Sequence, residues 1–243
     1  MTEYTSLKNK VAIITGGGSG IGRGIALALA EQQARLVLCG RRKARLEQTA
    51  QLIRQSGGEG LAVQADVSEE GDAKRVAQAT LEKFGRIDIL VNNAGVFEDG
   101  ETHEMGADTW ELVLRTNLDG PFLMTKAVLP AMRAQRSGHI LMISSESGII
   151  YETGATAYGV SKHALNAFSE FLQQENQDFT IRVNTICPGM VVTEMVENSP
   201  GLNHSKCLYP EDIADLAIWL LTRRSNIKIA TPVLIQTMLN PWK

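Results

Sequence analysis

Tyr158 and Lys162 stand four residues apart in the segment AYGVSKHAL. On a helix that spacing puts both side chains on one face, one turn apart. A phenol with a pKa near 10 is a poor proton donor or acceptor at neutral pH, but an ammonium beside it favours the phenolate and lowers that value. The pair therefore offers a general acid or base at Tyr158. A second chemical feature lies near the start of the chain, where TGGGSGIG, residues 15–22, follows the apolar run Val11, Ala12, Ile13, Ile14. Alanine-rich helical periodicity begins near Ile21, so the glycines occupy a strand-to-helix turn. Amides exposed at such a turn, together with the helix dipole, bind anionic phosphate. Without a Cβ, glycine lets a pyrophosphate approach closely. The loop lacks the G-x-G-x-x-G spacing, so by itself it indicates a phosphate site and no particular nucleotide.

The next apolar run, 36–39, is followed by Gly40-Arg41-Arg42-Lys43. In a dinucleotide fold a carboxylate at this point accepts hydrogen bonds from the adenosine ribose, whereas a nearby arginine accommodates a 2′-phosphate. No carboxylate is present here, and cations at a helix N-terminus oppose the dipole. Arg41 and Arg42 therefore point to NADP(H), with NAD(H) as the alternative cofactor.

Such residues need a scaffold that brings them to one place. Short apolar runs recur at 11–14, 36–39, 61–63, 87–91, 140–143, 181–186 and 233–235, several of them apolar at consecutive positions, as in parallel strands covered on both faces. Between them lie stretches with apolar residues at three- and four-residue spacing, such as Ile25 and Leu29, or Val76, Thr80 and Phe84. This alternation predicts an α/β fold: a three-layer, doubly wound Rossmann arrangement with a parallel sheet of about seven strands. Right-handed crossovers place helices on both faces, and a ligand is expected at the carboxyl ends of the strands, where strand order reverses. From 190 to 209 the chain turns polar and irregular, and a loop of that length is read as a substrate loop. Helix resumes at YPEDIAD, with Pro210 suited to its first turn.

Composition narrows the function classes. The chain of 243 residues is 44% hydrophobic and 21% charged with a formal net charge of −3, an ordinary globular balance read as one domain over 1–243. There is no basic excess to suggest nucleic acid, and no apolar run approaches a membrane span. The polar start MTEYTSLKNK has no apolar h-region, and three distant cysteines make no disulfide framework, so a cytoplasmic location is expected. The four histidines are scattered without ligand spacing, and no metal site is expected.

Taken together, these motifs resemble the classical short-chain dehydrogenase/reductase family over almost the whole chain. The resemblance rests on Thr15-Gly16-x-x-x-Gly20-x-Gly22, Asp66-Val67, Asn92-Asn93-Ala94-Gly95, Asn117, Ser145 in ISSESG, Tyr158 and Lys162 in YGVSK, and Pro188-Gly189 followed by Thr193. Separations of 41 residues from Asn117 to Tyr158 and 13 from Ser145 to Tyr158 match the family's, and the latter selects Ser145 over Ser144. The resemblance implies hydride transfer between a nicotinamide and a carbonyl or secondary alcohol. Tyr158 would move the proton, Ser145 would hydrogen-bond the substrate oxygen, Lys162 would hold the nicotinamide ribose and depress the Tyr158 pKa, and Asn117 would anchor a water-linked relay to Lys162. It further implies cofactor contacts from Gly16, Gly18, Ser19, Gly20, Ile21 and Gly22 in the loop, and from Asp66 and Val67 at the adenine. Asn93, Ala94 and Gly95 would serve the adenosine side, with Pro188, Gly189, Val191 and Thr193 near the carboxamide and phosphates. By position Glu146, Ser147, Tyr151, Met190, Val191 and Met195 would line the substrate pocket, and this set offers no cationic clamp for a carboxylate or phosphate substrate.

A 3-oxoacyl-thioester reductase is the alternative within enzymes, and a cofactor-sensing regulator the alternative outside them. The ending ATPVLIQTMLNPWK departs from the glycine-containing turn of many members. A homodimer through helices at about 107–134 and 157–175, or a homotetramer, is the expected assembly.

Overall fold

Side chains along the first strand alternate between two separate cores, and this alternation organises the molecule. The structure, a computed structural model, describes residues 4–197 and 199–243; residues 1–3 of the polar N-terminal segment and Asn198 of the 190–209 loop lie outside it. Strand β1 (Val11–Thr15) is buried along its whole length. Its Ile14 faces α1 (Gly20–Glu31), α2 (Lys43–Gln55) and α7 (Pro210–Leu221), in a core that holds Ile25, Leu29, Leu46, Ile53, Ile213 and Leu220. Its Ile13 faces α3 (Glu70–Phe84), α5 (Gly120–Gln135) and α6 (Thr156–Asn176), through Val76, Met124, Val128, Leu165 and Leu172. Each such aliphatic side chain contributes about 1.5–3 kcal/mol by leaving water. The expected three layers follow from this two-sided burial.

Among the described residues the sheet has seven strands, joining β1 with β2 (Arg35–Gly40), β3 (Glu59–Gln64), β4 (Ile89–Asn92), β5 (Gly138–Ile143), β6 (Ile181–Pro188) and β7 (Val233–Ile235). Their order is β3-β2-β1-β4-β5-β6-β7 and each neighbouring pair is parallel. The chain runs outward from β1 to β3 and then crosses back to β4, so strand order reverses between β1 and β4. A cleft at their carboxyl ends follows from that topology.

Asp88 fixes the register at this reversal. Buried just before β4, its carboxylate accepts from the Val11 amide at 3.0 Å, from Arg86 at 2.6 and 2.7 Å and from Lys10 at 3.1 Å. Burial alone would raise its pKa, but these donors outweigh it and hold the carboxyl below the usual range. Asp88→Ala should leave the Val11 amide unpaired and cost about 2–3 kcal/mol, a melting temperature lower by about 5–10 °C for a chain of this size. Because the folded-state pKa is depressed, the carboxylate's contribution is full above the unfolded value and fades as pH falls through the folded one. Melts at pH 7 and pH 3 should therefore show the gap between parent and variant narrowing in acid.

The expected helix over 107–134 is interrupted. Helix α4 (Ala107–Leu114) runs into a π-helical turn at Arg115–Asp119 before α5 begins. One wide turn rotates Asn117 inward, where it is fully buried.

Candidate active site

The loops that leave β1 and β4 are tied together by one hydroxyl. Thr15 Oγ1 accepts from the amides of Asn93 at 2.8 Å and Ala94 at 2.9 Å, and Asn93 Nδ2 donates to the Thr15 carbonyl at 2.8 Å. The glycines make this closure possible. Gly16 has φ +67°, and a Cβ at Gly22 would stand 2.4 Å from Asn93 Nδ2 and 2.5 Å from the Gly16 carbonyl oxygen. Gly22 thus lies beneath the loop, while Gly16, Gly18, Ser19, Gly20 and Ile21 line a groove of about 520 Å³ above it. Ser19 is extended and α1 starts at Gly20, which directs the first helical amides into the groove.

Along the same groove lie Arg41 and Arg42 after β2, Asp66 and Val67 after β3, and Asn93, Ala94 and Gly95 after β4. Thr193 and Met195 close its opposite side, and Tyr158 and Lys162 mark its far end. A glycine-built anion cradle continuous with cations and a polar strand-end row fits a dinucleotide. Pro188, Gly189 and Val191 stand back from it: Pro188 ends β6, the Gly189 amide donates to Ile235, and Val191 is buried and bridged to Leu208.

At the far end four side chains converge from three elements. Helix α6 presents Tyr158 and Lys162, the cap of the short helical turn after β5 presents Ser145, and the π-turn presents Asn117. The Lys162 ammonium lies 5.5 Å from the Tyr158 ring centroid and donates to the Ile143 carbonyl at 3.1 Å. Asn117 Oδ1 accepts from the Val96 amide at 2.8 Å, and its Nδ2 donates to the Val96 carbonyl at 2.9 Å and to Ser161 Oγ at 3.1 Å. Both Asn117 Oδ1 and Lys162 Nζ approach Gly95, at 3.3 and 3.7 Å from where a Cβ would stand, so a Cβ there would crowd Asn117 and lie in ordinary contact with Lys162. Ser145 Oγ accepts from the Ser147 amide at 3.2 Å, while Ser144 donates to the Lys162 carbonyl at 3.3 Å.

Burial pushes the Tyr158 phenol up to about 12, with hydrogen bonding to Ser145 acting the other way, and pushes Lys162 down to about 8. The lowered phenol pKa expected from the Tyr-Lys spacing is thus reversed in the structure. Desolvation dominates, and the ammonium rests on a carbonyl rather than on the phenol.

Of the residues expected to line a substrate pocket, Glu146 is half-buried beside Gly189 and accepts a hydrogen bond from Gln236, just beyond β7. Burial raises its pKa and Gln236 opposes the rise. Ser147 is buried and donates to Glu152 at 2.7 Å. The Met190 carbonyl accepts from the Leu208 amide at 2.8 Å, which ties the two ends of the 190–209 segment together. Tyr151 is 90% exposed and stacks on His163 with centroids 4.9 Å apart, outside the groove.

Comparison with known proteins decides the class. The model of the short chain dehydrogenase family matches residues 10–201. The chain belongs to that family. Curated relatives include an uncharacterized oxidoreductase of Staphylococcus saprophyticus, 37% identical over 92% of this chain and 95% of the relative, and one of Listeria innocua, 34% identical over the same shares. Among solved structures, levodione reductase superposes with a TM-score of 0.89 at 32% identity, covering 95% of this chain and 97% of that one. An alcohol dehydrogenase from Thermococcus sibiricus complexed with 5-hydroxy-NADP gives 0.88 at 29% identity, covering 96% and 97%. As a short-chain dehydrogenase/reductase the protein is an oxidoreductase, of a family that binds NAD(P) and acts on small molecules.

Several contributors to this dehydrogenase site carry no signal in the linear pattern. Thr15 was visible only as a motif letter, yet it stitches the cleft. Phe97 packs edge-on against Tyr158 with centroids 5.1 Å apart. Glu194 and Arg45 meet across the groove from distant segments. Among the described residues no group of three or more His, Cys, Asp or Glu is placed to hold a metal, and no helix is long and apolar enough to cross a membrane.

Proposed function

We propose that the protein is an NADP(H)-dependent carbonyl reductase or alcohol dehydrogenase for small, uncharged to cationic substrates. The observation that carries this reading is that Tyr158 and Lys162 line one end of a groove whose other end is lined by Arg41 and Arg42, with Ser145 hydrogen-bonded to Tyr158 and the buried Asn117 bonded to Ser161 beside Lys162. When bound, the nicotinamide supplies the hydride in reduction and accepts it in oxidation. The Tyr158 hydroxyl gives its proton to the carbonyl oxygen in reduction and takes it from the alcohol in oxidation. Ser145 donates a hydrogen bond to that oxygen as negative charge develops on it. Lys162 would hold the ribose hydroxyls of the cofactor and hand a proton toward Tyr158. Asn117, clamped on both polar atoms of Val96, fixes the loop after β4 and anchors the water through which that proton is replaced.

Arg41 and Arg42, following β2 in place of a carboxylate, support the preference for a 2′-phosphate. Exposed Phe122, Val160 and Phe171 on α5 and α6 support assembly of copies through these helices, as a homodimer or tetramer. Three free, buried cysteines support a cytoplasmic location.

The deciding experiment is a spectrophotometric scan of NADPH and NADH oxidation across ketones, aldehydes and 3-oxoacyl thioesters. Turnover of simple ketones or aldehydes with NADPH supports the reading; turnover of thioesters alone replaces it with the acyl-chain reductase. Binding of NADPH without any turnover would make the protein a sensor. Within the substrate class, Glu146 should bond a hydroxyl or amine next to the carbonyl. Glu146→Ala should therefore lower the kcat/KM ratio of hydroxy- or aminoketones to plain ketones about tenfold. A panel of substrates with unchanged specificity constants would dispose of that role.

A further inference from the structure

The carboxylate that β2 lacks is delivered from the other side of the groove. Glu194 follows Thr193 on the segment leaving β6, and its side chain reaches across to the start of α2. One of its oxygens, Oε2, accepts from Arg42 Nη1 at 2.6 Å, and Oε1 pairs with Arg45 Nη2 at 3.3 Å. The remaining terminal nitrogen of Arg42, Nη2, donates to Ser19 Oγ at 2.7 Å. Both terminal nitrogens of Arg42 are thus engaged, one on the phosphate loop and one on the segment after β6, and all three residues line the same groove.

A guanidinium offers the same fork of donors to a carboxylate and to a phosphate. Glu194 therefore occupies the donors that a 2′-phosphate on the cofactor would seek. A phosphate monoester carries about −1.5 to −2 charges at neutral pH, against one on Glu194. The ion pair is half-exposed on both sides, and such pairs hold weakly. A 2′-phosphate can displace the carboxylate; a neutral 2′-hydroxyl has no charge with which to do so.

Resting on the NADP(H) reading, we propose that Glu194 is a specificity-determining residue, an internal stand-in for the 2′-phosphate that a phosphorylated cofactor exchanges at Arg42 and a non-phosphorylated one leaves in place. The exchange also unties the segment around Thr193 and Met195 from the phosphate loop. Binding of the 2′-phosphate is thereby coupled to release of the groove's outer wall. Glu194 lowers affinity for the phosphorylated cofactor by competing for its site, so removing the charge strengthens that affinity.

Calorimetric titration of the full chain with 2′-phosphoadenosine 5′-phosphate and with adenosine 5′-phosphate tests this on the parent, Glu194→Gln and Glu194→Ala, after thermal melts establish that each variant is folded. Both variants should bind the 2′-phosphorylated nucleotide about two- to fivefold more tightly than the parent, the range expected for losing competition from an exposed ion pair. Binding of adenosine 5′-phosphate should stay within about 1.5-fold, since that ligand does not compete for Arg42. Unchanged or weakened binding of the 2′-phosphorylated nucleotide overturns the proposal. An equal gain for both nucleotides overturns it as well, as does a selective loss of adenosine 5′-phosphate, which would make Glu194 a ribose acceptor. Equal affinities of the parent for the two nucleotides sink the NADP(H) reading itself. A parent preference for the phosphorylated nucleotide, with no gain in the variants, leaves that reading standing and removes only the role of Glu194.

Discussion

Tyr158→Phe is expected to lower kcat by about a thousandfold or more while NADPH binding stays within about twofold, because positioned proton transfer contributes on the order of 10²–10⁴. The substitution removes one oxygen and keeps the ring, which packs edge-on against Phe97 at 5.1 Å. The groove wall is therefore preserved, and so is the anion cradle at the opposite end. Burial holds the phenol at about 12, so it is protonated at neutral pH, the form that carbonyl reduction consumes. Without that hydroxyl the developing oxyanion keeps the Ser145 hydrogen bond but has no proton donor. Pre-steady-state reduction by the variant, read at the NADPH absorbance beside a fluorescence titration of NADPH, separates the two effects. Survival of more than about a tenth of the activity would show that another group moves the proton.

How much of the fold and of the groove around Tyr158 is legible in the sequence depends on the kind of information a sequence carries. The strands were legible because consecutive apolar residues such as Val11 to Ile14 have few alternatives to a sheet covered on both faces. Right-handed crossovers implied a ligand at the carboxyl ends of the strands where their order reverses, and the structure locates that reversal between β1 and β4, with the glycine loop, Asn93 and Ser145 following strands at that end. What stayed hidden depends on contacts between distant segments. The π-turn at Arg115–Asp119 leaves apolar periodicity nearly intact on either side, so 107–134 reads as one helix although Asn117 needs the wider turn to point inward. The Tyr158 pKa departs from the expected direction because spacing reports proximity to Lys162 but not the loss of water that both side chains suffer. Tyr151 is near Ser145 in the chain, yet the turn after Gly148 carries it out to His163. Glu194 lies 152 residues beyond Arg42, and no local pattern pairs them.

Replacing both Arg41 and Arg42 with alanine is expected to weaken NADPH binding by about 10- to 100-fold and NADH binding by less than about threefold. The estimate follows from one or two charge-assisted hydrogen bonds to a 2′-phosphate, reduced from their buried strength because both guanidiniums are exposed. NADH presents a hydroxyl at that position and loses only long-range attraction. The discrimination should therefore shrink as salt rises, since a Debye length of about 8 Å at physiological ionic strength screens what direct contact does not. Single substitutions separate the two arginines. Arg41→Ala removes a cation and leaves the Arg42 bonds to Ser19 and Glu194 intact. Arg42→Ala also releases Glu194 from its shorter ion pair and leaves it with Arg45 alone at 3.3 Å, so a less well compensated carboxylate then faces the incoming phosphate. Arg42→Ala should accordingly cost more NADPH affinity than Arg41→Ala, and adding Glu194→Gln to it should recover part of the loss. Equal weakening of both cofactors by the double variant would mean that the cations serve the pyrophosphate or the fold, and the preference for NADP(H) would have to be abandoned.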